Sequence, residues 1–147
     1  METIGATVLF MPSPHSPLHF ALSKVGDRWT LVVIEALLAG PRRFGDLQDE
    51  VVGIAPNTLS SRLKSLEAEG LVIARVYSER PLRHEYTLTA SGKELAGAIG
   101  LLTAWGSSHS DEAEGPRHGL CGTPLEVRWY CPTCDSEAAE SEELWEA

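Results

Sequence analysis

The chain has 147 residues, of which 43% are hydrophobic and 22% are charged, and its formal net charge is −9. This length and composition are typical of one packed main domain with a small appendage, and no apolar run reaches the roughly 20 residues of a membrane span. The start lacks a basic region before an apolar stretch, and three cysteines are too few for a secreted disulfide scaffold, so a cytoplasmic protein is expected.

The negative charge is concentrated at the C-terminal end. Residues 111–147 hold ten acidic and two basic residues, a balance of −8, whereas residues 42–93 hold seven acidic and eight basic residues, a balance of +1. Because local charge decides whether a surface can approach phosphates, the net charge does not exclude a nucleic-acid partner for the middle of the chain.

Signals for three helices occupy the first third of the chain. Residues 1–16 are expected to form an N-terminal extension because prolines prevent a regular element there, and Ser16 then caps a first helix. Asp27 caps a second helix over residues 28–39, which is apolar on nearly every side and therefore belongs at the centre of a domain. A short third helix is predicted from Phe44 to about Val52.

A fourth helix is predicted between Pro56 and Gly70, with Leu59, Leu63 and Leu66 as its buried stripe. The opposite face carries short polar side chains, which let a helix backbone come close to base edges in the major groove of DNA. The candidates for base or phosphate contacts on this helix are Asn57, Thr58, Ser60, Ser61, Arg62 and Lys64.

A hairpin follows the fourth helix. Two strands are predicted at about residues 71–77 and 83–88, with residues 78–82 as the tip. Arg80 and Arg83 lie beside the turn and are candidates for contacts with phosphates or the minor groove.

A second pair of arginines precedes the third helix. Arg42 and Arg43 are candidates for contacts with the DNA backbone. They could equally form ion pairs with Asp46 or Asp49, and the sequence does not choose between these alternatives.

A last long helix is predicted from Thr89 to about Trp105. It has more apolar surface than one small domain needs, which indicates a partner helix. The candidate dimer-interface residues on this last helix are Leu95, Ile99, Leu102 and Trp105.

A cluster of metal-ligand residues, His118, Cys121, Cys131 and Cys134, has the spacing H-x2-C-x9-C-x2-C. Each x2 turn can place two ligands on one side of a tetrahedral zinc ion, and four protein ligands would make the site structural. The residues after the two turns, Gly122 and Asp135, stand where a left-handed conformation is often needed. The alternatives are a free tail or a redox pair of Cys131 with Cys134, and His109 is a less favoured ligand.

The end of the chain is acidic, with six acidic residues and no basic one from Asp135 to Ala147. Such a composition favours a solvated, partly disordered tail. A sharper alternative is that Leu144 and Trp145 dock on the basic DNA-binding surface of the chain and compete with DNA.

Five stretches in correct order resemble the HxlR-type regulators, which are winged helix-turn-helix proteins related to the MarR group. The resemblance covers about residues 17–106, and several separate motifs make it specific. The stretches are Val25-Gly26-Asp27-Arg28-Trp29-Thr30, Gly40-Pro41-Arg42-Arg43-Phe44-Gly45-Asp46-Leu47, Ile54 to Leu66, Tyr77-Ser78-Glu79-Arg80-Pro81 and Glu85-Tyr86-Thr87-Leu88-Thr89.

The resemblance implies a homodimeric bacterial regulator that binds operator DNA. Its first and last helices would pair across the dimer, which makes Leu18 and Leu22 on the first helix interface candidates as well. Its fourth helix would be the recognition helix, and Ser78–Arg83 would form the wing tip. Many relatives carry a sensing cysteine just before the first helix, where this chain has His15-Ser16-Pro17-Leu18. Many also have a serine cap where this chain has Ala55, a difference that costs about 1 kcal/mol of helix stability. Some have a similar cysteine-rich tail.

These features together predict a mostly α-helical α+β fold, a winged helix-turn-helix that dimerises through its first and last helices. The predicted segments after the extension are a DNA-binding and dimerisation domain (17–107), a zinc-ribbon-like appendage (108–135) and an acidic tail (136–147). The predicted function is recognition of a pseudo-palindromic operator in double-stranded DNA by a homodimer. The alternative is a protein-interaction module that docks on another regulator or on the transcription machinery.

An enzyme is not expected, because the chain has no P-loop, no dinucleotide fingerprint and no nucleophile–base pair. The sequence leaves room for a small-molecule effector without identifying one.

Overall fold

Two compact units make up the structure, a computed structural model that describes residues 16–111 and 114–138. The first unit ends at Ala96 and the second begins at Gly97. The last helix therefore belongs with the C-terminal segment, and the segment boundaries predicted above stay predictions. Residues 1–15 of the expected extension, and Leu144 and Trp145 of the acidic tail, lie outside the described residues.

Helix α1 spans Pro17–Val25 and helix α2 spans Arg28–Leu38. Both predicted caps are confirmed. The Ser16 hydroxyl accepts a hydrogen bond from the His19 N–H at 3.0 Å, and Asp27 Oδ1 accepts from the N–H groups at the start of α2. These side chains satisfy N–H groups that have no partner within the helix, so they fix where each helix begins.

Helix α3 spans Phe44–Glu50 and helix α4 spans Pro56–Ala68. Ala55 occupies the N-cap position of α4 with an extended backbone but supplies no side-chain hydrogen bond, so the missing cap is confirmed. After α4, Gly70 has a φ of 70°. This left-handed conformation suits glycine and ends the helix as predicted.

Three antiparallel strands form one sheet in the order β1-β3-β2: β1 is Arg42–Arg43, β2 is Val72–Glu79 and β3 is Leu82–Leu88. The β2–β3 hairpin, which we call the wing, is confirmed, but its strands extend further than predicted, so only Arg80 and Pro81 remain as the tip. Strand β1 was not predicted, because two residues are too few for a periodic pattern.

The core of the first unit lies where α2, α3 and α4 meet the base of the wing. Of the apolar stretch in α2, Val33, Ile34 and Leu37 are buried, whereas Val32 is exposed, so α2 is central on one side only. The predicted stripe of α4 is confirmed as buried. The core also includes Leu47, Val51, Ile54, Leu71, Val72 and Leu88.

The predicted last helix is divided at Leu95. Helix α5 spans Ala90–Glu94, where the Thr89 hydroxyl caps it, and helix α6 spans Ala96–Ser108. The Leu95 N–H bonds to the carbonyl three residues back, at Gly92, which tightens the turn. Gly97 and Gly100, at the start of α6, lower the helix propensity of this stretch.

The C-terminal unit also contains a short hairpin of β4 (Trp129–Cys131) and β5 (Ser136–Ala138). Residues 136–138, which the sequence assigns to a solvated, partly disordered acidic tail, form strand β5. They pair with β4, and Glu137 accepts two hydrogen bonds from Arg128, at 2.8 and 3.1 Å. The fold as a whole is the predicted α+β winged helix, and none of the helices in the described ranges is long and apolar enough to cross a bilayer.

Candidate nucleic-acid interface

The outward face of α4 carries the side chains expected to contact DNA. Its inward stripe, buried at Leu59, Leu63 and Leu66, fixes the rotation of the helix, so that Asn57, Ser61 and Lys64 are exposed. Thr58 and Ser60 are half-buried at its margins. The surface is a shallow concavity that we call the polar face of α4, lined by Asn57, Ser60, Ser61, Lys64, Ser65 and Ala68.

Arg62, also predicted to contact DNA, is held elsewhere. Its guanidinium is half-exposed and lies 3.1 Å from Asp27 Oδ2, so that it links α4 to the cap of α2. The other Asp27 oxygen accepts from Trp29 and Thr30. This ion pair compensates the charge of Arg62, and the expected role of Arg62 as a DNA contact stays a prediction.

The two arginines of β1 have different surroundings. Arg42 Nε lies 2.7 Å from Glu50 Oε1, so its partner is neither of the two aspartates considered from the sequence. Asp46 instead accepts the backbone N–H of Arg43 at 2.9 Å. The Arg43 side chain is exposed and lies 4.3 Å above the Tyr77 ring, and it forms no ion pair with any residue in 16–111 or 114–138.

Arg43 and the wing enclose a basic cleft of about 340 Å³, which we call the wing cleft. It is lined by Arg43, Phe44, Gly45, Tyr77, Leu82, Arg83, His84 and Tyr86, and none of these described residues is acidic. Burial, and to a smaller extent the charge of Glu67, raises the pKa of Tyr86, and a tyrosine phenol is protonated near neutral pH even without such a shift. The cleft therefore offers hydrogen-bond donors and positive charge, which are the groups that bind a phosphate.

Sequence reasoning missed Tyr77 and Tyr86 as parts of this cleft. Their position beside the arginines of β1 depends on tertiary pairing, in which Arg42 faces Tyr86 across β1 and β3 and the Arg43 guanidinium lies over the Tyr77 ring. The alternation of aromatic and basic side chains in the wing was the available signal, but it does not give the partner strand.

Two cations lie at the end of the wing, Arg80 at its tip and Arg83, which also lines the wing cleft, in β3. Arg80 and Arg83 are exposed, and neither forms an ion pair within the described part of the chain. Lys64 on α4 likewise has no acidic partner among those residues. These side chains keep their charge available to a polyanion.

The six candidate interface residues of the dimer are not equivalent. Leu18 and Leu22 on α1 are 64% and 55% exposed, and Leu102 and Trp105 on α6 are 55% and 65% exposed. Ile99 is only 7% exposed, so it is a core residue of the protomer rather than free apolar surface. Leu95, at the break between α5 and α6, is half-buried.

The four candidate zinc ligands form two separate pairs. His118 Nδ1 lies 3.2 Å from Cys121 Sγ, and Cys131 and Cys134 flank the two-residue turn between β4 and β5. Within residues 16–111 and 114–138, no three His, Cys, Asp or Glu side chains are grouped as metal ligands. His109 is stacked on Trp105, with ring centroids 4.5 Å apart.

Known proteins with similar sequences are transcription regulators. Residues 24–114 match the HxlR-like helix-turn-helix family. An uncharacterized HTH-type transcriptional regulator of Mycobacterium tuberculosis is 43% identical over 121 residues, which cover 80% of this chain and 76% of that protein. One from Bacillus subtilis is 36% identical over 91 residues, covering 62% of this chain and 84% of that protein.

Solved structures give the same result. The redox regulator HypR in its oxidized form has a TM-score of 0.61 and 30% identity, covering 65% of this chain and 99% of that one. A protein from Porphyromonas gingivalis described as a MarR-family regulator has a TM-score of 0.64 and 27% identity, covering 68% and 98%. The relatives are regulators rather than enzymes, as expected from the sequence. This chain belongs to the HxlR-like helix-turn-helix family of transcriptional regulators.

Proposed function

We propose that this chain is a homodimeric transcription regulator that binds a pseudo-palindromic operator in double-stranded DNA. The polar face of α4 enters the major groove, and the wing contacts the adjacent backbone or minor groove. The observation that carries the proposal is the distribution of uncompensated charge. Lys64, Arg43, Arg80 and Arg83 have no acidic partner among the described residues, whereas Arg42 and Arg62 are paired with Glu50 and Asp27.

The dimer forms through the exposed apolar side chains of α1 and α6. Large apolar side chains are exposed on both helices, Leu18 and Leu22 on α1 and Leu102 and Trp105 on α6. A second copy of the chain would cover them. In such a dimer the two α4 helices meet successive major grooves, roughly 34–36 Å apart. Because the proposed ligand is chromosomal DNA, we expect the chain to act in the cytoplasm.

Selection from a random-sequence duplex library tests this function directly. The full-length protein is expected to enrich a site with two related half-sites, and sedimentation of its complex is expected to give two chains per duplex. Failure to retain any duplex at low salt contradicts the proposal and favours the protein-interaction module.

A further inference from the structure

Two hairpin loops in the C-terminal unit each present a pair of metal-ligand residues. In the first loop Arg117 bridges Pro124, and the His118 N–H donates to the Thr123 carbonyl at 2.9 Å. This loop carries His118 and Cys121. The second loop connects β4 to β5 and carries Cys131 and Cys134.

The first loop already holds its pair at a separation suited to one metal ion. His118 Nδ1 and Cys121 Sγ are 3.2 Å apart. With a Zn–N bond of about 2.0 Å and a Zn–S bond of about 2.3 Å, two ligands of a tetrahedral ion lie roughly 3.5 Å apart. The backbone closes the loop behind the pair, because the Gly122 N–H donates to the His118 carbonyl at 2.8 Å.

The second loop repeats this construction. Cys131 ends β4 and Cys134 lies in the turn before β5, so that the two cysteines flank a two-residue turn. The residue after each pair has a left-handed backbone, with a φ of 70° at Gly122 and 52° at Asp135. That conformation is uncommon for a residue with a side chain, and the Tyr130 hydroxyl donates a hydrogen bond to the Asp135 carboxylate.

Few other interactions stabilise these two loops. Every residue from Arg117 to Tyr130 is exposed, and the hairpin of β4 and β5 has only three residues in each strand. An isolated two-stranded hairpin is at best marginally stable in water, so a segment of this size needs an additional source of order.

We propose that His118, Cys121, Cys131 and Cys134 bind one zinc ion, which joins the two loops into a single structural unit. The two pairs stand apart in the structure, with no cluster of three ligands among the described residues, so binding requires the loops to approach each other. The three thiols lose their protons on binding, and four protein ligands leave no open coordination position. The ion therefore stabilises the fold of the C-terminal unit and has no catalytic role.

Metal analysis of the full-length protein, purified under reducing conditions, tests this site. About one zinc per chain is expected, and its removal by a chelator should reduce the protection of the C-terminal amides from hydrogen exchange. Replacement by Co²⁺ should give the visible absorption of a tetrahedral site with three sulfur ligands and one nitrogen ligand. Cys121→Ser and Cys131→Ser should each weaken zinc affinity by about 10-fold to 100-fold or more. Loss of a residue that only hydrogen-bonds to a metal ligand already costs that much.

His109→Ala is the matched control for His118→Ala. Only the His118 variant should alter the Co²⁺ spectrum, because His109 is stacked on Trp105. Absence of zinc from the reduced protein, together with a disulfide between Cys131 and Cys134 after exposure to air, overturns the proposal in favour of a redox pair. Zinc that is lost from the His109 variant but retained by the His118 variant overturns the ligand set.

Discussion

Acidic neighbours determine which arginines of the first unit carry uncompensated charge. Nothing in the sequence distinguishes Arg42 and Arg62 from Arg43. In the structure, however, Glu50 lies within ion-pair distance of Arg42 and Asp27 within ion-pair distance of Arg62. These partners are eight and 35 positions away in the chain, so tertiary packing rather than local pattern selects them. The sequence therefore indicated a basic surface without identifying which of its cations are available to DNA.

Arg43 and Arg42 provide a matched pair for the phosphate contact. Arg43→Ala is expected to weaken binding to all duplexes similarly and to reduce the slope of log affinity against log salt by about one, because one phosphate contact is lost. Arg42→Ala should leave the slope nearly unchanged, since Glu50 compensates that charge. Fluorescence anisotropy over a salt series measures both slopes. Equal effects of the two substitutions would contradict the assignment.

Asn57 is expected to act differently, as a base contact. Its exposed side chain lies in the first turn of α4, where an amide can bond to a base edge. Asn57→Ala should lose about 1–3 kcal/mol of preference at one base position in each half-site while leaving the salt slope unchanged. Comparison of affinities for singly substituted operators provides the measurement. A uniform loss across all sequences would make Asn57 a backbone contact instead.

At the level of elements, caps and buried stripes made the helices predictable. Ser16, Asp27 and Thr89 cap helices where the sequence indicates, and the α4 stripe is buried as its spacing requires. Strand β1, the break at Leu95 and the pairing of residues 136–138 were not found. Strands of two or three residues have no measurable periodicity, and they form because they pair with a neighbouring strand.

The uncapped start of α4 gives a stability prediction. Ala55 has the extended backbone of an N-cap residue but no acceptor side chain. Ala55→Ser should therefore stabilise the protein by about 1 kcal/mol and raise Tm by about 3 °C. Ser16→Ala, which removes the existing cap of α1, should lower stability by a similar amount. Denaturation monitored by circular dichroism tests both, and a destabilised Ala55→Ser protein would show that the cap geometry is wrong.

For the molecule as a whole, the proposed recognition of an operator uses two copies of the polar face of α4. One short helix reads only a few base pairs, and a two-fold dimer doubles the contacts and sets the spacing of the half-sites. The apolar surface of the last helix indicated a partner from the sequence alone, although the burial of Ile99 shows that periodicity does not separate core from interface.

Leu22→Glu tests the dimer. The substitution places a charge on the exposed apolar surface of α1, so it should shift the protein to monomers in analytical ultracentrifugation and reduce affinity for a two-half-site operator more than for a single half-site. Val52→Glu alters an exposed apolar side chain outside α1 and α6 and should leave the dimer intact. An unchanged sedimentation coefficient for Leu22→Glu would remove α1 from the interface.

The most direct test of the account is the operator affinity of Ser61→Glu. Ser61 lies at the centre of the polar face of α4, and a carboxylate there would meet the negative potential of the major groove. Ser91→Glu adds the same charge on α5, which packs on β3, and serves as the control. If α4 lies in the major groove, Ser61→Glu abolishes specific binding while the folded dimer persists, and Ser91→Glu binds as the wild type does. Wild-type affinity in the Ser61→Glu protein would contradict the placement of α4 in the groove.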